Sequence, residues 1–102
     1  MTSETHRMLS IEELRTAVRP VAEKYGVEKV YLFGSVARGD CTDNSDYDFY
    51  IERGKIRSAI ILSEFFLDLR DAVGAEIDMI STKLVRPELM NRIIEDRVLI
   101  YG

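Results

Sequence analysis

Apolar residues along the chain follow two patterns, a helical period in long segments and short continuous runs between them. Between Ser10 and Gly26 they recur close to every 3.6 residues, which predicts a helix. Ser10 and Glu13 have the spacing of a capping box, which marks the start of that helix. From Ile56 to Val73 the same spacing predicts a second long helix, and Gly74 ends it. Shorter apolar runs between and after these helices are typical of buried strands.

This alternation of strands and helices predicts a mixed α/β (α+β) fold, with a small mixed sheet flanked by helices. Pro20 falls inside the first helix, where a proline removes one hydrogen bond and costs about 3 kcal/mol, so we expect a kink or break there. Residues 1–9 are mostly polar and are expected to be frayed. The remaining predicted elements are strands at Val27–Phe33, Tyr47–Glu52 and Ala75–Ser81, helices at Ser35–Gly39 and from Pro87 to about Glu95, and an extended segment at Val98–Tyr101.

Length and composition narrow the class of protein. A chain of 102 residues predicts a single domain over 1–102, too small for a catalytic domain plus a separate substrate-recognition domain. Its net charge of −4 has the wrong sign for binding phosphate backbones, so independent nucleic-acid binding is not expected. The single cysteine, Cys41, excludes an internal disulfide and favours the cytoplasm. With no signal peptide and no apolar run near the ~20 residues that span a bilayer, no membrane association is expected.

Candidate chemistry lies between the first two predicted strands. Gly34 and Ser35 stand where a strand turns into a short helix, so backbone N–H groups and the Ser35 hydroxyl are placed to face a phosphate. Asp46 and Asp48 are two positions apart on an extended segment, and strand side chains alternate, so both carboxylates point to the same side. Carboxylates held close together raise each other's pKa unless a cation neutralises them, so we expect Mg²⁺ or water there and favour the metal.

Other readings of these residues fit less well. Gly34 and Gly39 have the spacing of half a P-loop, but Asp40 and Cys41 stand where Lys and Ser/Thr are required. An EF-hand calcium loop fails because Phe49 replaces its glycine and no glutamate stands at its twelfth position. The plainer alternatives are a simple turn and a solvated strand start.

The combined motif resembles the core of the DNA polymerase beta nucleotidyltransferase superfamily. The chain's size and its apolar lead-in to the motif resemble the minimal nucleotidyltransferases, which are the antitoxins of HEPN/MNT toxin–antitoxin pairs. In that superfamily two carboxylates of the motif and a third from a later strand hold the metals. The resemblance rests on Gly34-Ser35, Ala37-Arg38-Gly39 and Ser45-Asp46-x-Asp48.

The resemblance implies roles for particular residues. Asp78 would be the third carboxylate, although Glu76 shares its strand face and is the rival candidate. Ser35 would contact the terminal phosphates of the nucleotide. Arg38 either stabilises phosphate charge or forms a structural bridge, to Asp40 or to Glu52.

The activity implied is Mg²⁺-dependent transfer of AMP from ATP to a tyrosine hydroxyl of a cognate HEPN RNase toxin, with release of pyrophosphate. Two ions would be held by Asp46, Asp48 and Asp78, and Asp78 would lie nearest the attacking hydroxyl. Two alternatives stay open. One is a non-catalytic antitoxin that neutralises its toxin by binding, and the other is a stand-alone nucleotidyltransferase that acts on a small hydroxyl compound.

Overall fold

The computed structural model describes residues 9–39, 46–81 and 86–102. Helices and strands alternate through these ranges, which confirms the predicted α/β class. No helix in the described ranges is long and apolar enough to cross a membrane. The helices are α1 (Ile11–Tyr25), α2 (Gly34–Arg38), α3 (Ala59–Val73) and α4 (Pro87–Asp96), and the strands are β1 (Lys29–Phe33), β2 (Tyr47–Glu52), β3 (Ile77–Ser81) and β4 (Val98–Tyr101).

The strands form one mixed sheet in the order β3-β2-β1-β4. Strand β1 is antiparallel to both β2 and β4, whereas β2 and β3 are parallel. In this register Asp48 lies opposite Phe33 on one side and opposite Asp78 on the other. The carboxyl end of β1 therefore meets the amino ends of β2 and β3, and this corner of the sheet carries the candidate chemistry.

The two faces of the sheet are covered differently. Tyr47, Phe49 and Ile51 of β2 alternate into the main core, where they meet the buried stripes of α1 and α3, as the apolar pattern predicted. On the opposite face, Tyr50 of β2 packs in a smaller cluster with Ile93 of α4. Asp48 shares that second face by strand alternation.

Helix α1 continues through Pro20, so the expected break is wrong. Pro20 is exposed, and the backbone group that loses its partner is the carbonyl of Thr16, which is also exposed and can be hydrated. The start of the helix is as predicted: the Ser10 Oγ accepts from the Glu13 N–H at 3.1 Å, and Glu13 accepts from the Ser10 N–H at 2.8 Å. Gly26 ends the helix at φ +72°.

The other differences between predicted and observed element bounds arise at apolar residues that lie just outside a helix or strand. The third helix begins at Ala59 rather than Ile56, because the Ser58 Oγ accepts from the Ile61 N–H at 3.1 Å and caps it. Ile56 is buried in the preceding turn, and Val27 is buried before β1 begins. Strand β3 likewise begins at Ile77, two residues after the predicted start. Apolar character at these positions marks burial rather than helix or strand.

Of the nine residues expected to be frayed, 1–8 lie outside the described residues. Leu9 is held at its backbone, where its N–H donates to the Tyr47 hydroxyl at 2.9 Å.

Candidate functional site

Gly34 lets the backbone lie directly against the Asp48 side chain. It follows the last residue of β1 and has φ +83°, in the left-handed region that favours glycine. A Cβ at this position would overlap the Asp48 carboxylate. Ser35 comes next, half-buried in the first turn of α2. The predicted phosphate element is therefore in contact with Asp48, one of the predicted carboxylates.

Asp48 and Asp78 form the centre of the site. They lie opposite each other on the parallel strands β2 and β3, close enough for their charges to interact. The pKa of Asp48 is raised from 3.8 to about 6, most of all by burial and then by repulsion from Asp78 and Asp46 and by the hydrogen bond to Asp78. Arg38 acts in the opposite direction and lowers the pKa of Asp48. Asp46 and Asp78 thus both act on the carboxylate of Asp48, so the three predicted carboxylates belong to one site.

The donor set suits a hard divalent cation. Carboxylate oxygens are the ligands that Mg²⁺ prefers, and a cation between Asp48 and Asp78 would relieve the repulsion that now raises the pKa of Asp48. Within the described ranges, no three acidic, His or Cys side chains already stand in a complete metal-binding arrangement. Asp48 and Asp78 form a close carboxylate pair. Asp46 is exposed and lies directly before β2.

Between the two candidates for the third carboxylate, the structure places Asp78 at the site. Glu76 precedes β3, and its backbone carbonyl accepts from the Tyr47 N–H at 3.2 Å. Asp78 is among the groups that raise the pKa of Asp48, and Glu76 is not. The register of β3 therefore supports the choice of Asp78, while its chemical role stays a prediction.

Arg38 forms an ion pair that the sequence did not indicate. Its Nη1 donates to the Asp96 Oδ2 at 2.8 Å, joining the last residue of α2 to the last residue of α4. The predicted bridge from Arg38 to Asp40 stays untested, because Asp40 lies outside the described residues, as does Ser45 of the motif. No local pattern points to Asp96, because it is 58 positions from Arg38 in the sequence.

Comparison with known proteins gives a consistent result. Residues 17–102 match the family model described as "Polymerase beta, Nucleotidyltransferase". A Methanocaldococcus jannaschii protein, provisionally named as a protein adenylyltransferase, is 30% identical over 90 residues, which cover 88% of this chain and 97% of that relative.

Two solved structures share the architecture. One, described provisionally as a minimal nucleotidyltransferase, superposes with a TM-score of 0.74 at 27% identity and covers 88% of this chain and 95% of that one. The other is an MNT antitoxin in complex with the tri-AMPylated HEPN toxin of Shewanella oneidensis, with a TM-score of 0.68 over 91% of this chain and 73% of that one. At 15% identity, this second likeness shows a common fold.

Proposed function

Because the chain belongs to the polymerase beta nucleotidyltransferase family, we propose that it is an antitoxin that transfers AMP from ATP to a tyrosine hydroxyl of a cognate HEPN RNase toxin. The observation that carries this proposal is the meeting of Asp48 and Asp78 against the backbone of Gly34. A carboxylate pair beside a strand-to-helix turn can serve both the metal and the phosphates of a nucleotide.

The choice of acceptor is supported by the relatives. The M. jannaschii relative is provisionally named as a protein adenylyltransferase, and the S. oneidensis antitoxin was solved with an AMPylated HEPN toxin. The net charge of −4 favours a protein acceptor over a nucleic acid. We place the reaction in the cytoplasm, where the single cysteine would stay reduced.

In this proposal the tyrosine oxygen attacks the α-phosphorus of ATP. The new P–O bond forms as the bond between the α-phosphorus and its bridging oxygen to the β-phosphate breaks, and pyrophosphate leaves. Asp46, Asp48 and Asp78 would hold two Mg²⁺ ions, which when bound neutralise the phosphate charge and activate the hydroxyl. Asp78 would take up the proton of the attacking hydroxyl and pass it to solvent. Gly34 keeps the backbone close to Asp48, and Ser35 would donate to the terminal phosphates.

The test is an incubation of the purified chain with its cognate toxin, ATP and Mg²⁺, followed by intact mass spectrometry of the toxin. We expect one or more added AMP masses that tandem mass spectrometry assigns to tyrosine, and none in EDTA. Asp46→Asn should abolish the addition without changing the melting temperature, because it removes metal-binding charge from an exposed side chain. Toxin recovered without added mass from the complete mixture, with the chain folded, would overturn the proposal.

One observation favours the second candidate, neutralisation by binding alone. Ile60 and Leu67 of α3 are 73% and 49% exposed and lie two helical turns apart, so they share one solvent-facing stripe. This stripe lies on the face of the sheet opposite Asp48, away from the carboxylates. Exposed apolar side chains that share one stripe of a helix can serve as a protein contact.

Neutralisation by binding can be separated from neutralisation by transfer. If binding alone suffices, Asp48→Asn without ATP should still inhibit the RNase activity of the toxin, and Ile60→Ser with Leu67→Ser should relieve that inhibition. If transfer is needed, Asp48→Asn should leave the toxin fully active.

A further inference from the structure

The ion pair between Arg38 and Asp96 connects the candidate site to a distant helix. Arg38 is the last residue of α2, the short helix whose first residue, Gly34, lies against the Asp48 side chain, so Arg38 is about one helical turn from the carboxylate corner. The Asp96 Oδ2 lies 2.8 Å from Arg38 Nη1. A guanidinium has five N–H donors in a fixed fork, so a carboxylate bound to one nitrogen also restricts the directions in which the others can point.

Asp96 stands where a carboxylate is electrostatically unfavourable. It is the last residue of α4, and the carboxyl end of a helix carries partial negative charge. The last turn of α4 contains no basic residue, and Arg97 follows it at the C-cap. The side chain of Asp96 is 22% exposed and that of Arg38 is 47% exposed, and ion pairs with this much solvent access contribute little to stability. A gain in stability therefore does not explain why an acid occupies this position.

The segment around Asp96 is firmly held. Ile93, one turn earlier in α4, is fully buried against Tyr31 and Tyr50 on the sheet. Arg97, the next residue, lies over the Tyr31 ring at 4.5 Å from its centroid. The backbone of Asp96 is thus held on both sides, which places its carboxylate beside Arg38.

We infer that Asp96 is a positioning residue, which holds the Arg38 guanidinium in the orientation that binds the phosphates of ATP. The inference rests on the proposed function and adds to it a residue from α4, outside the sequence motif. Asp96 does not touch the nucleotide and acts through Arg38. Its removal should therefore weaken nucleotide binding while leaving Asp46, Asp48 and Asp78 in place.

The experiment measures the Kd of ATP in Mg²⁺ by titration calorimetry without any partner protein. Asp96→Asn should raise the Kd about tenfold, whereas Asp96→Glu, which keeps the charge at a longer reach, should give an intermediate value. In an Arg38→Met background, Asp96→Asn should cause no further loss, because the residue through which it acts is gone. If Asp96→Asn does not fold, the Kd of ATP for Asp96→Glu tests the role of Asp96 instead.

Two control variants separate positioning from general effects. Glu95→Gln removes the same charge from the same helix end, at an exposed neighbouring residue, and should leave the Kd unchanged. Ile93→Val loosens the packing of α4 without touching the ion pair, and should lower the melting temperature while the Kd stays within twofold.

The outcomes separate this inference from the proposed function. If the natural chain transfers AMP and Asp96→Asn binds ATP as tightly as the natural chain, the positioning role is overturned and the proposed function stands. The positioning role would also be overturned if Asp96→Asn weakened ATP binding as much in the Arg38→Met background as in the natural chain. The same holds if Ile93→Val weakened ATP binding as much as Asp96→Asn. If the natural chain binds no ATP, both the proposed function and the positioning role are overturned.

Discussion

At residue scale, Gly34 shows how one missing side chain shapes the site. We expect Gly34→Ala to lose about 1–2 kcal/mol of stability from the left-handed backbone alone, and more from the overlap of its Cβ with the Asp48 carboxylate. Thermal or chemical unfolding measures the loss, and ATP binding should fall with it. Ser35 would be displaced in the same movement.

Gly39→Ala is the matched control. Gly39 has φ +81°, so it carries the same backbone penalty, but no atom of the described residues 9–39, 46–81 and 86–102 lies within 4 Å of its added Cβ. The stability that Gly34→Ala loses beyond the loss in Gly39→Ala measures the effect of the contact with Asp48. Equal losses in stability and in ATP affinity would mean that the contact has no role.

Asp48 should make stability depend on pH. Its pKa is near 6 in the folded chain and 3.8 when unfolded, so the folded state holds the proton longer. Stability is therefore lost as pH rises from about 4 to about 6, and Asp48→Asn removes this loss. The expected gain at pH 7 is about 1 kcal/mol, since solvent screens a partly exposed carboxylate, and it should vanish near pH 3.

Urea unfolding at pH 3 and pH 7 measures this dependence. Mg²⁺ at pH 7 should stabilise the natural chain more than Asp48→Asn, because a cation relieves the same repulsion. If Asp48→Asn were less stable than the natural chain at pH 7, the carboxylate of Asp48 would not be destabilised by burial and by its acidic neighbours.

Some residue positions could be predicted from the sequence and others could not. The i, i+2 spacing of Asp46 and Asp48 was enough to place them near one another, because strand geometry is local. Alternation could not choose between Glu76 and Asp78, since that choice depends on the register between β2 and β3. The partner of Arg38 depends on how α4 packs, which no local pattern encodes.

At the scale of elements, prediction worked where local signals agreed. Strand β2 has the predicted bounds, Tyr47–Glu52, because turn-forming residues precede an alternating apolar run. It failed at Pro20, where the burial of Leu14, Val18 and Ala22 on the opposite side of α1 outweighs the unfavourable proline. Tertiary packing decided the outcome there, as it often does.

Pro20 provides a prediction for α1. Pro20→Ala should restore the hydrogen bond to the Thr16 carbonyl and stabilise the chain by about 1–2 kcal/mol, after the greater freedom of the unfolded chain is subtracted. Chemical unfolding measures the change. Arg19→Ala, at an exposed neighbour on the same helix, should stay within about 0.5 kcal/mol. Loss of stability in Pro20→Ala would mean that the proline is compatible with the helix.

At the scale of the whole molecule, the sequence predicted the class of the fold but not its connectivity. A small sheet with flanking helices follows from the alternation of elements. That β1 lies between β2 and β4 depends on contacts distant in sequence. This order brings the ends of β1, β2 and β3 to one corner, so residues from separate segments meet in one site.

The most direct test of the central claim compares two acidic residues of one segment. The cognate toxin is incubated with ATP, Mg²⁺ and the natural chain, Asp78→Asn or Glu76→Gln, and its intact mass is recorded over time. We expect Asp78→Asn to stop AMP transfer while keeping much of the ATP affinity, because Asp78 would act on the attacking hydroxyl in the transition state. Glu76→Gln should transfer AMP nearly as fast as the natural chain. Transfer at the natural rate by Asp78→Asn would contradict a nucleotidyltransferase site built on Asp48 and Asp78.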